Sequence, residues 1–422
     1  MVYVISKEGK PLMPSSRFGK IRRLLKEKKA KVIKRCPFTI KLLYDTTGYT
    51  QEVVLGQDTG SKYIGTACVA NNKVMYQSQT ELRIDIKDKM TERLGHRRFR
   101  RTKLRYRKPR FKNRANSTRK DRLPPSVRHK VQSHIDEIEF CKKILPISKI
   151  VLEVSQFDTH LMKNPSLLNE NMKHWAYQKG INYGFACRKS AILHRDNYSC
   201  QLCNKKNTRL EVHHIIYRSN GGTDDENNLI TLCEDCHKHI HIGKIKLNKQ
   251  PKRMTLKFAT HMNIIRSQLL KYYPNAIETY GFVTKANREQ LSLPKDHYID
   301  AVVIASGGCA VQLNNNVFYK KRVAKQNRAM QKGVRGEKAI PLGKINGFRK
   351  YDKVKYFNKE YFIKGRRTAG TCVLSDIHGN SIHFGHMPRG KKIPKLSNCL
   401  KISSRGSCLC TTKKYDAIPV LS

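Results

Sequence analysis

Two tight thiol pairs, Cys200-x-x-Cys203 and Cys233-x-x-Cys236, stand 29 residues apart. Four thiolates at this spacing fit a closed tetrahedral Zn2+ site with no open coordination position, hence a structural zinc. Such an ion would supply the folding energy that a small insert with little apolar area lacks. Between the pairs run Leu210-Glu211-Val212-His213-His214-Ile215, Gly221-Gly222 and Asn227-Asn228-Leu229, and beyond the second pair come His237 and His241. The alternation before His213 reads as a strand, which sends the His213 and His214 imidazoles to opposite faces. His237 and His241, four apart, share a face if that segment is helical. An imidazole titrating near neutrality can deprotonate water, and a cation beside it can hold a phosphate and its leaving oxygen.

A second group of chemistry-bearing residues is dispersed. Asp58 ends the run Val53-Val54-Leu55-Gly56-Gln57 and is followed by Gly60, Ser61 and Lys62. Glu153 ends a second such run, Ile150-Val151-Leu152. His297 and Asp300 stand three apart at the start of a helical segment, on one face. An acid delivered at the carboxyl end of an apolar strand, next to a glycine turn, suits a metal site at a sheet edge. Asp158 and Asp296 are nearby alternatives, ranked lower because Asp158 lies beyond its strand and Asp296 off the shared helix face.

The elements that must position these groups follow from the pattern. Residues 1–50 read as strands Val2–Ile5 and Pro37–Tyr44 around a basic helix, Ser15–Lys29, with Pro11-Leu12-Met13-Pro14 between. Val53–Gln57, Tyr63–Ala70 and the stretch from Val74 form a meander turning at Asn71-Asn72. Arg97–Lys130 holds sixteen Lys/Arg against one acid, Asp121, and a helix over Thr91–Arg107 would be basic on every face. Like charges on all faces repel unless phosphates surround them. An amphipathic helix, Val127–Leu145, leads into strand Ile150–Val154; helical stretches are expected at Leu167–Ser190 and near Thr255–Tyr273. Thr279–Thr284 reads as a short strand and Tyr298–Leu313 as a helix.

Eighty-five Lys and Arg against 32 acids leave +53 over 422 residues, so a polyanion is expected in the working state. That length allows about three modules at roughly 150 residues each. Hydrophobic content of 39% is too high for a wholly disordered basic tail. The apolar runs fall far short of the ~20 residues a membrane span needs, and Met1–Lys10 lacks the apolar stretch of a secretory signal. The thirteen cysteines, an odd number, are expected to be reduced thiols of a cytoplasmic, nucleoid-associated protein, apart from the zinc set.

The Cys/His residues together resemble the HNH nuclease motif, the ββα-metal fold. The resemblance implies that His214 is the general base and that His213 binds a divalent metal, with His237 or His241 completing the site. Asn228 would either ligate the metal or orient the base. Many nucleases with this motif carry Asp where His213 stands. As a set, Asp58, Glu153, His297 and Asp300 resemble the RuvC nuclease, an RNase H-like fold split into three segments, in which convergent carboxylates hold two Mg2+.

The order of parts resembles the IscB family of transposon-associated RNA-guided DNA endonucleases, related to the CRISPR type II effectors. It implies an α/β multidomain protein: an RNase H-like (RuvC) core split in three, an inserted zinc-stabilised ββα-metal (HNH) domain, an arginine-rich bridge helix and a C-terminal small β-barrel-like region. The implied boundaries are 1–51 (PLMP), 52–92 (RuvC I), 93–126 (bridge helix), 127–178 (RuvC II), 179–254 (HNH with linkers), 255–313 (RuvC III), 314–345 (guide-RNA stem region) and 346–422 (SH3-like, target-adjacent-motif interacting). Arg97, Arg98, Arg100, Arg101, Lys103, Arg105, Arg107, Lys108 and Arg110 would grip a guide (omega) RNA. Lys320, Lys321, Arg322, Lys325, Arg328, Lys332 and Arg335 form a basic stretch suited to an RNA stem. The expected activity is cleavage of double-stranded DNA by a monomer in a ribonucleoprotein, HNH cutting the guide-paired strand and RuvC the displaced one. The alternatives are a protein-guided homing-type HNH endonuclease and a guided DNA-binding protein with weak cleavage. A non-enzymatic RNA-binding protein explains the charge but leaves both residue sets as coincidence.

Overall fold

A computed structural model describes residues 1–104, 122–163, 182–220, 222–247, 256–324, 343–385 and 392–414. Arg105, Arg107, Lys108 and Arg110 lie outside these residues, as do Lys325, Arg328, Lys332 and Arg335. The chain divides into two compact units, one comprising Met1–Gln156 with His261–Ser422 and the other Phe157–Thr260.

The first unit opens with a four-stranded sheet of order β2-β1-β4-β3, formed by β1 (Val2–Ile5), β2 (Pro11–Ser15), β3 (Ala30–Arg35) and β4 (Phe38–Leu42). Helix α1 (Phe18–Lys26) buries Ile21 in the small core of Val2, Ala30, Ile40 and Leu42. The Pro11–Pro14 segment is therefore a strand, β2, paired with β1. Three long strands follow as an antiparallel meander, β5 (Val54–Asp58), β6 (Tyr63–Ala70) and β7 (Lys73–Glu81). Asn71 and Asn72 both take positive φ, 46° and 54°, as the two-residue hairpin requires. Helix α2 (Ile86–Leu104) carries the start of the basic block, and α3 (Pro125–Lys142) leads to β8 (Lys149–Glu153).

In the second unit α4 (Thr159–Lys163) and α5 (Arg188–Arg195) precede β9 (Leu210–His214), β10 (Leu229–Cys233) and α6 (Glu234–His241). Back in the first unit come α7 (Lys257–Tyr272, whose first residues belong to the second), β11 (Ile277–Thr279), α8 (Gly281–Gln290), α9 (His297–Ser306) and β12 (Asn316–Arg322). Two expectations are corrected here. The strand expected at Thr279–Thr284 ends at Thr279, and Gly281 begins a helix with Tyr280 as its extended N-cap. Val283 and Thr284 favour strands only weakly, and packing of α8 overrides that preference. The helix expected to reach Leu313 stops at Ser306, because Gly307 takes the left-handed conformation (φ 65°) that caps it.

Seven strands form the central sheet in the order β11-β8-β5-β6-β7-β12-β17. β11, β8 and β5 run parallel, and β12 runs parallel to β7. The last strand, β17 (Cys408–Lys414), pairs antiparallel with β12 and brings Cys410 Sγ to 3.3 Å from Cys36 Sγ. Both faces are covered. Leu55, Cys68, Tyr76 and Leu152 meet Ile135 and Ile138 of α3 and Ile265 and Leu269 of α7, while Ala67, Val69 and Val74 meet Ala301, Val302 and Ala305 of α9. Burial on both sides explains why these strands read as apolar runs. Helix α9 lies so close that a Cβ on Gly56 or Gly65 would overlap its backbone, at Ala301 and His297 respectively.

A four-stranded antiparallel sheet of order β15-β14-β13-β16 completes the unit: β13 (Lys353–Tyr356), β14 (Lys359–Arg366), β15 (Cys372–Ser375) and β16 (Leu400–Ser403). Val354, Tyr356, Ile363, Leu374, Phe384 and Leu396 give it a core of its own. The basic stretch starting at Tyr319 is also corrected in part. Lys320 and Arg322 are buried on β12 against Glu137 of α3 at 2.6 and 2.9 Å, and Lys321 pairs with Glu81 at 3.1 Å. These three cations answer the protein's own acids, and Lys320 and Arg322, at alternate strand positions, point into the α3 face.

Candidate active sites

In the second unit, β9 and β10 form an antiparallel hairpin with His213 opposite Ile230 and His214 opposite Leu229. The pleat sends His213 inward, 4% exposed, and leaves His214 part-exposed. Helix α6 starts at the second thiol pair and carries His237 and His241 toward His213, with ring centroids 4.9 and 5.1 Å from its ring. The ligand nitrogens of all three converge within 4.8 Å of one another. Burial, followed by the neighbouring His237 and His241, pushes the His213 imidazole down to about 4. It is therefore neutral at physiological pH, as a metal ligand must be. His213 Nε2 is buried without a hydrogen-bond partner, an orphaned atom that a cation would satisfy.

Four sulfurs, from Cys200, Cys203, Cys233 and Cys236, also lie within 4.8 Å of one another. Zn–S bonds of ~2.3 Å in a tetrahedron give S···S separations of about 3.8 Å, so the thiols fit Zn2+. Cys200, Cys233 and Cys236 sit in a small core with Ile230 and Leu232, which ties α6 to the hairpin.

Asn228 is buried, and its side chain is fully engaged. Its Oδ1 accepts from Ile216 N–H at 2.9 Å, and its Nδ2 donates to the carbonyls of Ile216 and Thr223 at 3.0 and 2.8 Å. It closes the loop between the strands. Two site residues were missed in the sequence. Asp224 Oδ1 accepts from His214 Nε2 at 2.9 Å, and the His214 hydrogen bond together with Arg218 holds its carboxyl below the usual range. Glu211 Oε2 lies 2.9 Å from His237 Nδ1. Glu211 stands two residues before His213 on β9, so strand alternation could have placed it on the His213 face.

The carboxylates lie in the first unit. Asp58 and Glu153 end adjacent parallel strands and are register partners. His297, on the first turn of α9, meets Asp58 Oδ2 through Nδ1 at 2.6 Å, and this bond raises its pKa. Glu153 is pushed up to about 7 by burial and then by Asp58, with Asp300 adding a smaller push. Asp300 is raised by burial and then by Asp58. Carboxyls that resist ionising together mark a site a divalent cation would fit. Their oxygens are not gathered as tightly as the imidazole or thiol ligands. Arg288 of α8, missed in the sequence, is 8% exposed and brings Nε to 2.9 Å from Asp300 Oδ1, in contact but not aligned as a hydrogen bond. Gln57, just before Asp58, is fully buried and donates to the His134 carbonyl at 3.3 Å. Asp296 is the N-cap position of α9, and Asp158 lies in the second unit, bonded to the Leu161 N–H at 2.9 Å. Of the basic block, Arg97 and Arg98 lie on α2, and Arg100, Arg101 and Lys103 continue that helix.

Comparison with known proteins adds two domains to this geometry. Residues 2–180 match the RRXRR protein family, and residues 200–242 match the HNH endonuclease family. That second segment, which holds the thiols and imidazoles just described, is an HNH endonuclease domain. An RRXRR domain joined to an HNH endonuclease domain supports a nuclease acting on DNA, of the IscB/Cas9-like type. Two curated relatives are similar over short stretches. Anaredoxin of Nostoc sp. (strain PCC 7120) is 38% identical over 57 residues, 14% of this chain and 75% of that protein. The type IV methyl-directed restriction enzyme EcoKMcrA of Escherichia coli (strain K12) is 38% identical over 64 residues, 13% of this chain and 23% of the enzyme. Among the described residues no helix is long and apolar enough to cross a membrane.

Proposed function

We propose that the protein is an RNA-guided double-strand DNA endonuclease of the IscB type, with the domain boundaries set out above. The observation that supports this reading is an imidazole cluster within an HNH endonuclease match and a separate cluster of acids, in one chain of charge +53. The central sheet would be the RuvC core, with Asp58, Glu153 and Asp300 as Mg2+ ligands and His297 beside them. The hairpin and α6 would be the HNH site. There Asp224 accepts the Nε2–H of His214, so His214 Nδ1 takes the proton from the attacking water. His213, with His237 and His241, would hold a divalent cation. Bound cations at both sites would supply charge stabilisation for the phosphate and the leaving oxygen. Arg97, Arg98 and the basic residues after them would grip the guide RNA. The four-stranded C-terminal sheet would be the SH3-like reader of the target-adjacent motif.

The test begins with the bound RNA of the full-length protein, expressed with its flanking DNA. One abundant RNA with a constant scaffold and a guide-like end is expected; a random sample of cellular RNA would overturn guidance. With that guide and a strand-labelled duplex, His214→Ala should slow cleavage of the guide-paired strand by about 10²–10⁴-fold. Asp58→Ala should abolish cleavage of the other strand alone. Loss of both cuts in either single variant would sink the two-site assignment.

A further inference from the structure

Strand β11 ends at Thr279, the register partner of Glu153, and Val154 N–H donates to the Thr279 carbonyl at 2.9 Å. The chain must therefore leave the sheet beside the Glu153 carboxylate, and it does so through Tyr280-Gly281-Phe282. A Cβ built on Gly281 would lie 3.2 Å from Glu153 Oε1, so the backbone passes against the acid. Thr284, one turn on, donates to the Tyr280 carbonyl at 3.5 Å, which holds the start of the helix to the strand end. The residues on either side of Gly281 are both aromatic and both open to water, Tyr280 at 41% and Phe282 at 73% exposed. Their rings are parallel within 7°, with centroids 6.0 Å apart. Single exposed apolar side chains are ordinary on a protein surface. Two parallel rings fixed by a strand end and a helix start, against an acid cluster, form a built surface.

We propose that Tyr280 and Phe282 are a stacking platform for an unpaired nucleobase of the strand cut at the Asp58/Glu153/Asp300 site. The proposal rests on the nuclease reading of those carboxylates. Aromatic rings bind single-stranded nucleic acid without regard to sequence, because every base offers a π-face. The ring separation decides the mode. A base held between two rings needs about 6.8 Å, twice the ~3.4 Å rise of stacked bases. With centroids 6.0 Å apart the rings cannot admit one. The base therefore lies on an outer face, and its backbone passes toward Glu153. On the opposite flank the Tyr63 ring lies 5.3 Å from that of His297, with Lys62 Nζ 5.2 Å from the Tyr63 ring centre. A cation there suits a phosphate further along the same strand. Tyr280 and Phe282 are positioning residues, since they touch the strand beside the scissile bond and not the reacting atoms.

The probe is a single-stranded DNA oligonucleotide carrying one 2-aminopurine, mixed with the full-length protein without added Mg2+ so that no strand is cut. Stacking quenches its fluorescence. We expect quenching by the unmodified protein and by Phe282→Trp. The Tyr280→Ala/Phe282→Ala double variant should lose the quench and bind about 5- to 100-fold more weakly. An unchanged thermal melting curve for the double variant separates this loss from misfolding. Equal quenching and affinity in the double variant would overturn the platform. Strand-resolved cleavage with the guide and Mg2+ separates this inference from the reading beneath it. A platform variant should raise KM for the displaced strand and leave cleavage of the guide-paired strand unchanged. Quenching that depends on the two rings, in a protein that cuts neither strand, would keep the platform and remove the nuclease reading. Both strands cut and the probe quenched equally well by the double variant would do the reverse.

Discussion

His213, His237 and His241 meet within one hairpin and the helix that follows it, whereas Asp58, Glu153 and Asp300 converge from segments far apart in the chain. The first set gathers imidazoles, and burial holds the His213 proton off down to about 4. The second gathers acids, and burial there works against the charged form, lifting Glu153 to about 7. Neutral imidazoles can therefore sit together with little electrostatic cost, so the scaffold of that site can be small. What it lacks is apolar area, and four thiols stand where a clamp is needed. The carboxylates have a large scaffold, a seven-stranded sheet covered on both faces, and that scaffold has to hold groups that repel one another. His297 against Asp58 and Arg288 beside Asp300 are the protein's own partial answer to that repulsion. The ligand types differ as well: imidazole suits Zn, Cu, Fe and Ni, and carboxylate suits Mg, Ca and Mn.

The strongest way to break this comparison is to remove the clamp. A structural zinc site contributes about 10–16 kcal/mol of binding free energy to folding in small zinc modules. Cys236→Ser, or a strong chelator, should unfold the hairpin and α6 while leaving the central sheet intact. Hydrogen exchange would show protection lost across residues 200–242 and retained in β5, β6 and β8. Uniform loss in both units, or none in either, would mean that the thiols do not act as a local clamp.

A smaller effect sharpens the electrostatic half. The folded-state pKa of Glu153 is raised, so the folded protein keeps a proton that the unfolded chain releases above its ordinary value of 4.5. Stability of the metal-free protein should therefore fall as pH rises from about 4.5 to about 7, by up to about 3 kcal/mol. Glu153→Gln removes the group and should raise the metal-free melting temperature above pH 7, while Mg2+ should stabilise the unmodified protein more than the variant. Melting curves without added divalent cation at pH 5 and pH 8 give the answer. A variant no more stable than the unmodified protein at pH 8 would mean that the acids are relieved without a cation.

The two sites were also unequally legible in the sequence. Thiol pairs and histidines at short spacing announce a local site, because hairpin and helix periodicity alone decide which side chains meet. Asp58 and Glu153 were legible as acids at the ends of apolar strands, but nothing local says that those strands are neighbours in register. Arg288 was unreadable for a related reason. The segment before it reads as a strand, and the short helix that carries it to Asp300 depends on packing against α9 more than on propensity. β17 was missed because its partner β12 lies far back in the chain. The basic residues of β12 looked like a nucleic-acid surface because Glu137, which neutralises two of them, is remote in sequence. Asp224 sits in a loop where no period connects it to His214. Charge and spacing report the ligands of a site more readily than the groups that orient them.

That last difference yields the smallest and most discriminating prediction. Glu211 lies on β9 two residues before His213, and its Oε2 accepts from His237 Nδ1 at 2.9 Å. The bond fixes the tautomer of His237, leaving Nε2 as the atom that faces His241, 3.2 Å away, and the shared ligand position. Removing such an orienting carboxylate typically costs 10–100-fold in metal affinity. Glu211→Gln keeps the size and an accepting oxygen but loses the charge, so the ring can turn over. The Mn2+ concentration giving half-maximal cleavage of the guide-paired strand should rise about 10–100-fold, while that for the displaced strand stays where it was. The two metal titrations on one labelled duplex test this directly, because the carboxylate site serves as an internal control in the same molecule. Equal shifts for both strands would point to a change in DNA or RNA binding. No shift in either would mean that His237 needs no orientation, leaving His213 and His241 to hold the cation.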